Sequence, residues 1–102
     1  MKYFLISDNI DTLAGLRMVG VDGVVVHETE ELREALEKAE ADKDVGLILV
    51  TSKLFAENAS LLFDHKMRRT EPLIIEMPDR HNPEQAGESI KRYIAEVVGI
   101  KL

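Results

Sequence analysis

The most hydrophobic stretch of this 102-residue chain is VGLILV at residues 45–50, and its pattern decides the fold. Apolar residues follow one another there without alternation, which is typical of a parallel strand that is covered on both faces. Shorter runs of the same kind lie at residues 3–6 (YFLI), 24–26 (VVV) and 73–77 (LIIEM). We therefore predict four buried strands, with residues 45–50 in a central position.

Apolar residues recur at helical spacing in the segments that follow each of these runs. We predict helices at about residues 12–19, 30–41, 53–66 and 83–99. The predicted N-caps are one of Asp8, Asn9 and Asp11 for the first helix, Thr29 for the second and Asn82 for the last. Five residues of the third helix are expected to face the sheet, namely Leu54, Phe55, Ala59, Leu62 and Phe63. Turns are expected at Gly20, Asp22 and Gly23, before the second strand.

The alternation of strands and helices predicts one α/β domain spanning residues 1–102. Such a chain forms an open four-stranded parallel sheet with helices on both faces, a flavodoxin- or Rossmann-like three-layer sandwich. We predict the strand order 2-1-3-4, because this order buries the first and third strands, which are the most hydrophobic.

Composition excludes several classes of protein. The formal net charge is −6 and the pI is near 5.0, which disfavours nucleic-acid binding because phosphate contacts need a basic face. The chain has no cysteine, so disulfides and thiolate chemistry are excluded. No signal peptide and no apolar stretch of about 20 residues is present, so we expect a cytoplasmic protein that reaches a membrane only through a partner.

Polar residues follow each predicted strand: Ser7–Asn9, His27–Glu28, Thr51–Ser52 and Pro78–Asp79. We call these residues the carboxyl-terminal rim, the edge at which open α/β sheets bind ligands. They could form a small polar site, or they could serve only as helix caps and turns. We favour caps and turns, since each residue type is a preferred cap or turn former.

Known catalytic patterns do not match the carboxyl-terminal rim. A phospho-acceptor receiver domain needs an acidic pair after its first strand and an acceptor Asp after its third, but Asp8 is followed by Asn9 and the third strand ends in Thr51-Ser52. No glycine-rich or Walker loop is present for a nucleotide. The three histidines are too scattered for a metal cluster, and no nucleophile elbow is visible. We expect no enzyme activity, no cofactor and no metal.

Three sequence blocks together resemble the F subunit of the V-type (vacuolar/archaeal-type) ATPase/ATP synthase family, in its short bacterial and archaeal form. The first block comprises Ser7-Asp8, Thr12, Gly15, Leu16-Arg17 and Gly20-Val21. The second is the apolar strand at residues 45–51, which ends in Thr51 and is followed by Ala56 in the next helix. The third is PLIIEMP at residues 72–78, close to the family's Pro-x-Ile-x-Glu-Ile-Pro. The resemblance covers essentially the whole chain.

This resemblance implies a non-catalytic part of a rotary machine. The F subunit of that family lies on the central stalk, bound to the antiparallel coiled coil of the D subunit. It turns with the rotor inside the ring of catalytic A and B subunits, and so helps couple ATP synthesis or hydrolysis to proton or sodium transport through the membrane rotor. The implied location is cytoplasmic and peripheral to the membrane.

Residues beside the predicted core stripes are our candidates for binding the D subunit. They are Met18, Met67, Lys91, Arg92 and Tyr93, with Leu16 and Leu61 as further candidates. Methionine suits an adaptable surface, whereas Leu16, Leu61 and Tyr93 could equally widen the core. Lys91 and Arg92 could steer the chain onto an acidic partner or simply be solvated.

Two other functions stay open at this point. A receiver-like signalling or small-ligand-sensing domain would bind an anion or nucleotide near Asp8 and Thr51. A small hydrolase or isomerase would need a proton-transfer group at the carboxyl-terminal rim, where only Asp8, His27 and Glu28 qualify.

Overall fold

Four parallel strands and four helices make up residues 1–68 and 71–77, which are the residues that the computed structural model describes. In chain order they are β1 (Lys2–Ser7), α1 (Ile10–Arg17), β2 (Asp22–Val25), α2 (Thr29–Ala41), β3 (Val45–Thr51), α3 (Ser52–Glu57), α4 (Ala59–Arg68) and β4 (Leu73–Met77). The sheet order is β2-β1-β3-β4, with every pair parallel. The predicted α/β fold and strand order are confirmed. The helix predicted at residues 83–99, with its cap Asn82, lies outside the described residues.

One row of paired residues crosses the sheet through Gly23, Leu5, Leu49 and Ile75. Asp22 and Gly23 therefore both lie within β2, and the turns predicted at these two residues are wrong. A Cβ atom at this position would lie 2.7 Å from Leu5 Cβ, closer than real side chains approach. Glycine is required here because the two strands meet too tightly for any side chain.

The core consists of two apolar layers, one on each face of the sheet. On one face, α2, α3 and α4 cover β1 and β3 with fully buried residues such as Leu36, Leu54 and Leu62. On the other face, α1 contributes Leu13 and Leu16. Burying a leucine contributes about 1.5–3 kcal/mol, so both layers hold the helices firmly against the sheet.

Helix α1 begins and ends two residues earlier than predicted. Its N-cap is Asn9, whose Oδ1 accepts the Thr12 N–H at 2.8 Å. Its end is a Schellman motif, in which Gly20 has φ of 88° and the Val21 N–H donates to the Leu16 carbonyl at 3.0 Å. This turn leaves Val19 exposed on the surface.

The N-cap of α2 is Glu28 and not the predicted Thr29. Glu28 and Glu31 form a capping box: the Glu28 side chain accepts the backbone N–H of Glu31, and the Glu31 side chain accepts the backbone N–H of Glu28. The Thr29 hydroxyl instead donates to Asn58 Oδ1 at 2.8 Å, which ties the start of α2 to the junction of α3 and α4.

The helix predicted at residues 53–66 is two helices that meet at Asn58. The Asn58 side-chain amide donates to the Leu54 carbonyl at 3.0 Å, and its backbone departs from helical geometry. Asparagine disfavours helix interiors because its side chain competes for backbone groups. After this break, α4 directs Leu62 and His65 inward and leaves Ala59 and Phe63 exposed, so the inward assignment of Ala59 and Phe63 is wrong.

Candidate functional site

Asp8 and Thr51 join the ends of the two central strands at the carboxyl-terminal rim. The Thr51 hydroxyl donates to Asp8 Oδ1 at 2.7 Å and accepts the Asp8 backbone N–H at 3.3 Å. Thr51 is completely buried. Its hydroxyl thus uses both its donor and an acceptor site within the chain, in a link between β1 and β3.

The neighbouring hydroxyl groups of the rim are engaged in the same way. Ser7 Oγ donates to the Asn9 carbonyl at 2.8 Å and accepts the Asn9 N–H at 3.0 Å. Ser52 Oγ donates to the Met77 carbonyl at 3.1 Å, which connects α3 to the end of β4. These contacts support the interpretation of these residues as caps and turns.

Glu31 organises the loop in which His27 and Glu28 lie. Its Oε1 accepts the backbone N–H groups of His27 at 3.0 Å and Glu28 at 2.9 Å. These two hydrogen bonds, that of His27 first, hold the pKa of Glu31 below its usual value. This carboxylate therefore acts on the backbone at the start of its own helix.

A buried polar pair joins α2 to α4. His65 Nδ1 lies 2.8 Å from Glu40 Oε2, and each side chain is only 6% exposed. The two residues are 25 positions apart, and neither local periodicity nor motif spacing singled them out. Their burial between two helices of one layer indicates a structural link, since a buried carboxylate requires such a partner.

The residues predicted to bind a partner separate into three groups. Met18, which follows the last residue of α1, is 72% exposed, and Met67 on α4 is 71% exposed. The helices α1 and α4 pack against opposite faces of the sheet. Leu16 is fully buried and Leu61 is partly buried against the core, in line with the core interpretation of both. The remaining three, Lys91, Arg92 and Tyr93, lie outside the described residues.

An apolar groove lies between α3 and α4 on the outer side of the molecule. It has a volume of about 360 Å³ and is lined by Phe55, Ala59, Ser60, Phe63 and Lys66. Phe63 is 62% exposed, and Met67 follows it one helical turn later. Lys66 Nζ lies 5.4 Å from the centre of the Phe55 ring, within the range of a cation–π contact. We call these five lining residues together with Met67 the α3–α4 face.

Sequence reasoning missed Phe63 because the apolar stripe of the predicted helix was too wide. Leu54 and Phe63 are nine positions apart, which places them on roughly opposite sides of a helix with 3.6 residues per turn. Both therefore could not face the sheet. The polar residue Asn58 interrupts the stripe, and it was the signal that Phe63 belongs to a separate helix.

Neither a membrane span nor a metal cluster is found among the described residues. None of the helices in residues 1–68 has the length and apolarity that a bilayer crossing requires. Within residues 1–68 and 71–77, no three His, Cys, Asp or Glu side chains come together as metal ligands would.

Comparison with known proteins gives a consistent result. Residues 4–94 match the family model described as ATP synthase (F/14-kDa) subunit. A protein named as the F subunit of the A-type ATP synthase of Methanothermobacter thermautotrophicus is 30% identical, with 90% of this chain and 88% of that protein covered. Proteins of the same name in Thermococcus kodakarensis and Pyrococcus furiosus are each 29% identical, with 100% of this chain and 98% of each relative covered.

Proposed function

This chain belongs to the family described as ATP synthase (F/14-kDa) subunit, and on that basis we propose that it is a non-catalytic central-stalk subunit of a rotary ATPase that binds the coiled coil of the D subunit. The resemblance drawn from the three sequence blocks is confirmed. The chain is a subunit of an archaeal-type ATP synthase. Its place on the rotor, its grip on the D subunit and its part in coupling ATP turnover to ion transport are the finer elements of the proposal.

One observation supports a role without chemistry. In the described part of the carboxyl-terminal rim, the hydroxyl groups of Ser7, Thr51 and Ser52 all make hydrogen bonds within the chain. A substrate arriving at this edge would have to break contacts that join the strands. A rigid body held by such links suits a part that transmits torque.

The same contacts disfavour the receiver-like alternative. Such a domain would need Asp8 open to a cation or anion, whereas Asp8 Oδ1 already accepts the Thr51 hydroxyl. The residue after Asp8 is Asn9, which caps α1, so the second carboxylate that a receiver domain carries after its first strand is an amide in this chain. A position peripheral to the membrane, with partners in the A/B ring and the membrane rotor, follows from the proposed complex. The single domain at residues 1–102 stays a prediction.

Co-expression with the coiled-coil D subunit of the same complex tests the proposal. We expect the two chains to co-elute in size-exclusion chromatography with one-to-one stoichiometry. We also expect no nucleotide hydrolysis by the isolated chain, and a loss of coupling between ATP turnover and ion transport when the chain is omitted from the reconstituted enzyme.

Two results would contradict the proposal. The first is elution of the chain apart from the D subunit at micromolar concentration. The second is turnover of a nucleotide or phosphoryl donor by the isolated chain that disappears in the Asp8→Asn variant, since this would favour a signalling or catalytic domain.

A further inference from the structure

We propose that Asp22 closes the outer edge of β2 to strand pairing, and that a second copy of this chain would pair with that edge if Asp22 were absent. The outer edge of β2 is the side of residues 22–25 that faces away from β1. This inference concerns self-association and is tested without the D subunit, so its failure would leave the proposed function unaffected.

Strand β2 lies at one end of the sheet. In the order β2-β1-β3-β4, the only described strand that pairs with it is β1. An edge strand presents unpaired backbone N–H and C=O groups, which can pair with a strand of another molecule. Val24 is 36% exposed, so a second strand can approach β2 from solvent. Natural proteins carry features that block such pairing.

The register shows which backbone groups of β2 face outward. The Val26 N–H donates to the Ser7 carbonyl at 2.8 Å, while Ser7 is the register partner of Val25. Along a strand, the N–H and C=O groups of successive residues point alternately to one side and to the other. Val24 and Val26 therefore direct these groups toward β1, whereas Gly23 and Val25 direct theirs away from it.

The Asp22 carboxylate covers the outward N–H of Gly23. Its Oδ1 accepts that N–H at 2.8 Å and also accepts the Nε–H of Arg17 at 3.2 Å. Gly23 is buried although it belongs to the edge strand. The Asp22 carboxylate oxygen thus takes the place that a carbonyl oxygen of an added strand would need.

The charge of Asp22 strengthens this block. The hydrogen bond from Gly23, and after it the one from Arg17, stabilises the ionised form and holds the pKa of Asp22 below its usual value. An added strand would bring its carbonyl oxygens toward this negative charge. Charged side chains on edge strands prevent pairing for this reason.

The contact between Arg17 and Asp22 contributes little to folding itself. The two side chains are 56% and 76% exposed, and ion pairs at such exposure add little stability. Removal of the Asp22 carboxylate should therefore leave the chain folded and change mainly the edge of the sheet.

Symmetry determines how two uncovered edges would pair. In a twofold dimer the same residues meet across the axis, so the two β2 strands would run antiparallel. Because Gly23 and Val25 face outward, Gly23 of one copy would pair with Val25 of the second copy. The two Val24 residues would then lie opposite each other as a non-hydrogen-bonded pair, with Cα atoms about 4.5 Å apart.

Sedimentation velocity of the full chain tests the role of Asp22. We expect Asp22→Ala to lower the Kd of self-association at least about tenfold, the change that corresponds to one hydrogen bond to a charged group. Asp22→Asn loses the charge but keeps a carbonyl oxygen, so it should lower the Kd by a smaller factor. This isosteric variant also keeps the test decisive if Asp22→Ala does not fold.

Asp42→Ala is the matched control. Asp42 also accepts a backbone N–H, that of Asp44 at 2.9 Å, and pairs with Lys2 at 2.7 Å, but it is the C-cap of α2 and lies outside the sheet. The variant removes the same charge, so its Kd should stay within about twofold of the unaltered value. An equal decrease in Asp42→Ala, or an Asp22→Ala chain that associates no more than the unaltered chain, would overturn the inference.

Disulfide trapping locates the contact. The chain has no cysteine, so Val24→Cys in the Asp22→Ala background introduces one thiol per copy. Oxidised glutathione takes up the two electrons and two protons that the thiols lose as the disulfide forms. We expect a covalent dimer, because the separation of the two Val24 positions suits a disulfide. Val24→Cys with Asp22 intact should form at least about tenfold less of it, in line with the expected change in Kd.

Met67→Cys in the Asp22→Ala background is the control for this trapping. Position 67 is 71% exposed and lies on α4, away from β2, so we expect little covalent dimer. A dimer trapped equally well at position 67, or equal yields from Val24→Cys with and without Asp22, would place the contact on another surface and overturn the inference.

Discussion

The carboxyl-terminal rim and the α3–α4 face differ in whether their side chains make contacts within the chain. In the described part of the rim, the hydroxyl groups of Thr51, Ser7 and Ser52 bond to neighbouring backbone or side-chain atoms. On the α3–α4 face, Phe63 and Met67 leave most of their apolar surface in water. The first region is polar and internally satisfied, whereas the second is apolar and exposed.

This difference indicates at which of the two regions binding would release more free energy. A ligand at the rim would exchange existing hydrogen bonds for new ones, and such an exchange yields little net free energy. A partner on the α3–α4 face would remove apolar surface from water, which is worth about 25 cal/mol per Å² before the costs of association. The edge that binds ligands in related folds is thus the less favourable of the two.

The sharpest test of this contrast uses two adjacent residues of α4. Leu62 is fully buried in the core, whereas its neighbour Phe63 is 62% exposed. We expect Leu62→Ala to lower the free energy of unfolding by about 2–5 kcal/mol, and Phe63→Ala to change it by no more than about 0.5 kcal/mol. Urea denaturation followed by circular dichroism measures both. A large loss in Phe63→Ala would mean that the α3–α4 face stabilises the fold and is not free for a partner.

The next effect concerns the link between β1 and β3 at the rim. We expect Thr51→Val to lower the free energy of unfolding by about 1–3 kcal/mol, because Asp8 loses both a donor and an acceptor where it is partly buried. Thr51→Ser keeps the hydroxyl and serves as the control, with a smaller loss in the same denaturation experiment. Equal stability of Thr51→Val and the unaltered chain would show that the rim hydroxyl is not needed for folding and could serve a ligand.

The smallest expected effect is the pH dependence that Glu31 contributes. Its pKa in the folded chain lies below the ordinary value of 4.5, because the backbone N–H groups of His27 and Glu28 stabilise the ionised form. A lowered pKa in the folded state means that the stabilisation is present above about pH 4.5 and is lost as the pH falls through the lower, folded value. Glu31→Gln should therefore flatten the acid side of the stability profile, measured as melting temperature between about pH 3 and 6.

Glu37 supplies the control for this measurement. It is an exposed glutamate on the same helix that takes no part in the capping box, so Glu37→Gln should flatten the acid side of the profile less than Glu31→Gln does. Identical profiles for the two variants would contradict the assignment of the capping box as the cause.

The sequence predicted the sheet well and the helix surfaces less well. All four strands, their parallel arrangement and their order are as predicted, as are the buried residues Leu54 and Leu62. The polar rim was also identified, together with its use in caps and turns. Asn9 was among the predicted caps, whereas Glu28 replaced Thr29 because its side chain and that of Glu31 cap each other.

Contacts between distant parts of the chain contribute to two of the errors. Gly23 lies in a strand because its neighbour Leu5 leaves no space for a side chain. Phe63 is exposed because the helix breaks at Asn58, where the amide bonds to Leu54 and receives the hydroxyl of Thr29. The approach of Gly23 to Leu5 and the contact of Thr29 with Asn58 join distant parts of the chain and are not visible in a local window. The bond of Asn58 to Leu54 spans only four residues, so this part of the break could have been read from the sequence.

The sequence by itself determined the layers of this protein, since a strand buried on both faces needs an unbroken apolar run and such a run can be read directly. It also carried the three blocks that identified the family. Only the tertiary structure decided which helix residues are buried and which are exposed. It pairs His65 with Glu40 across 25 positions, and it leaves Phe63 and Met67 exposed. The rotation of a helix about its axis depends on what it packs against, and that is settled when the chain has folded.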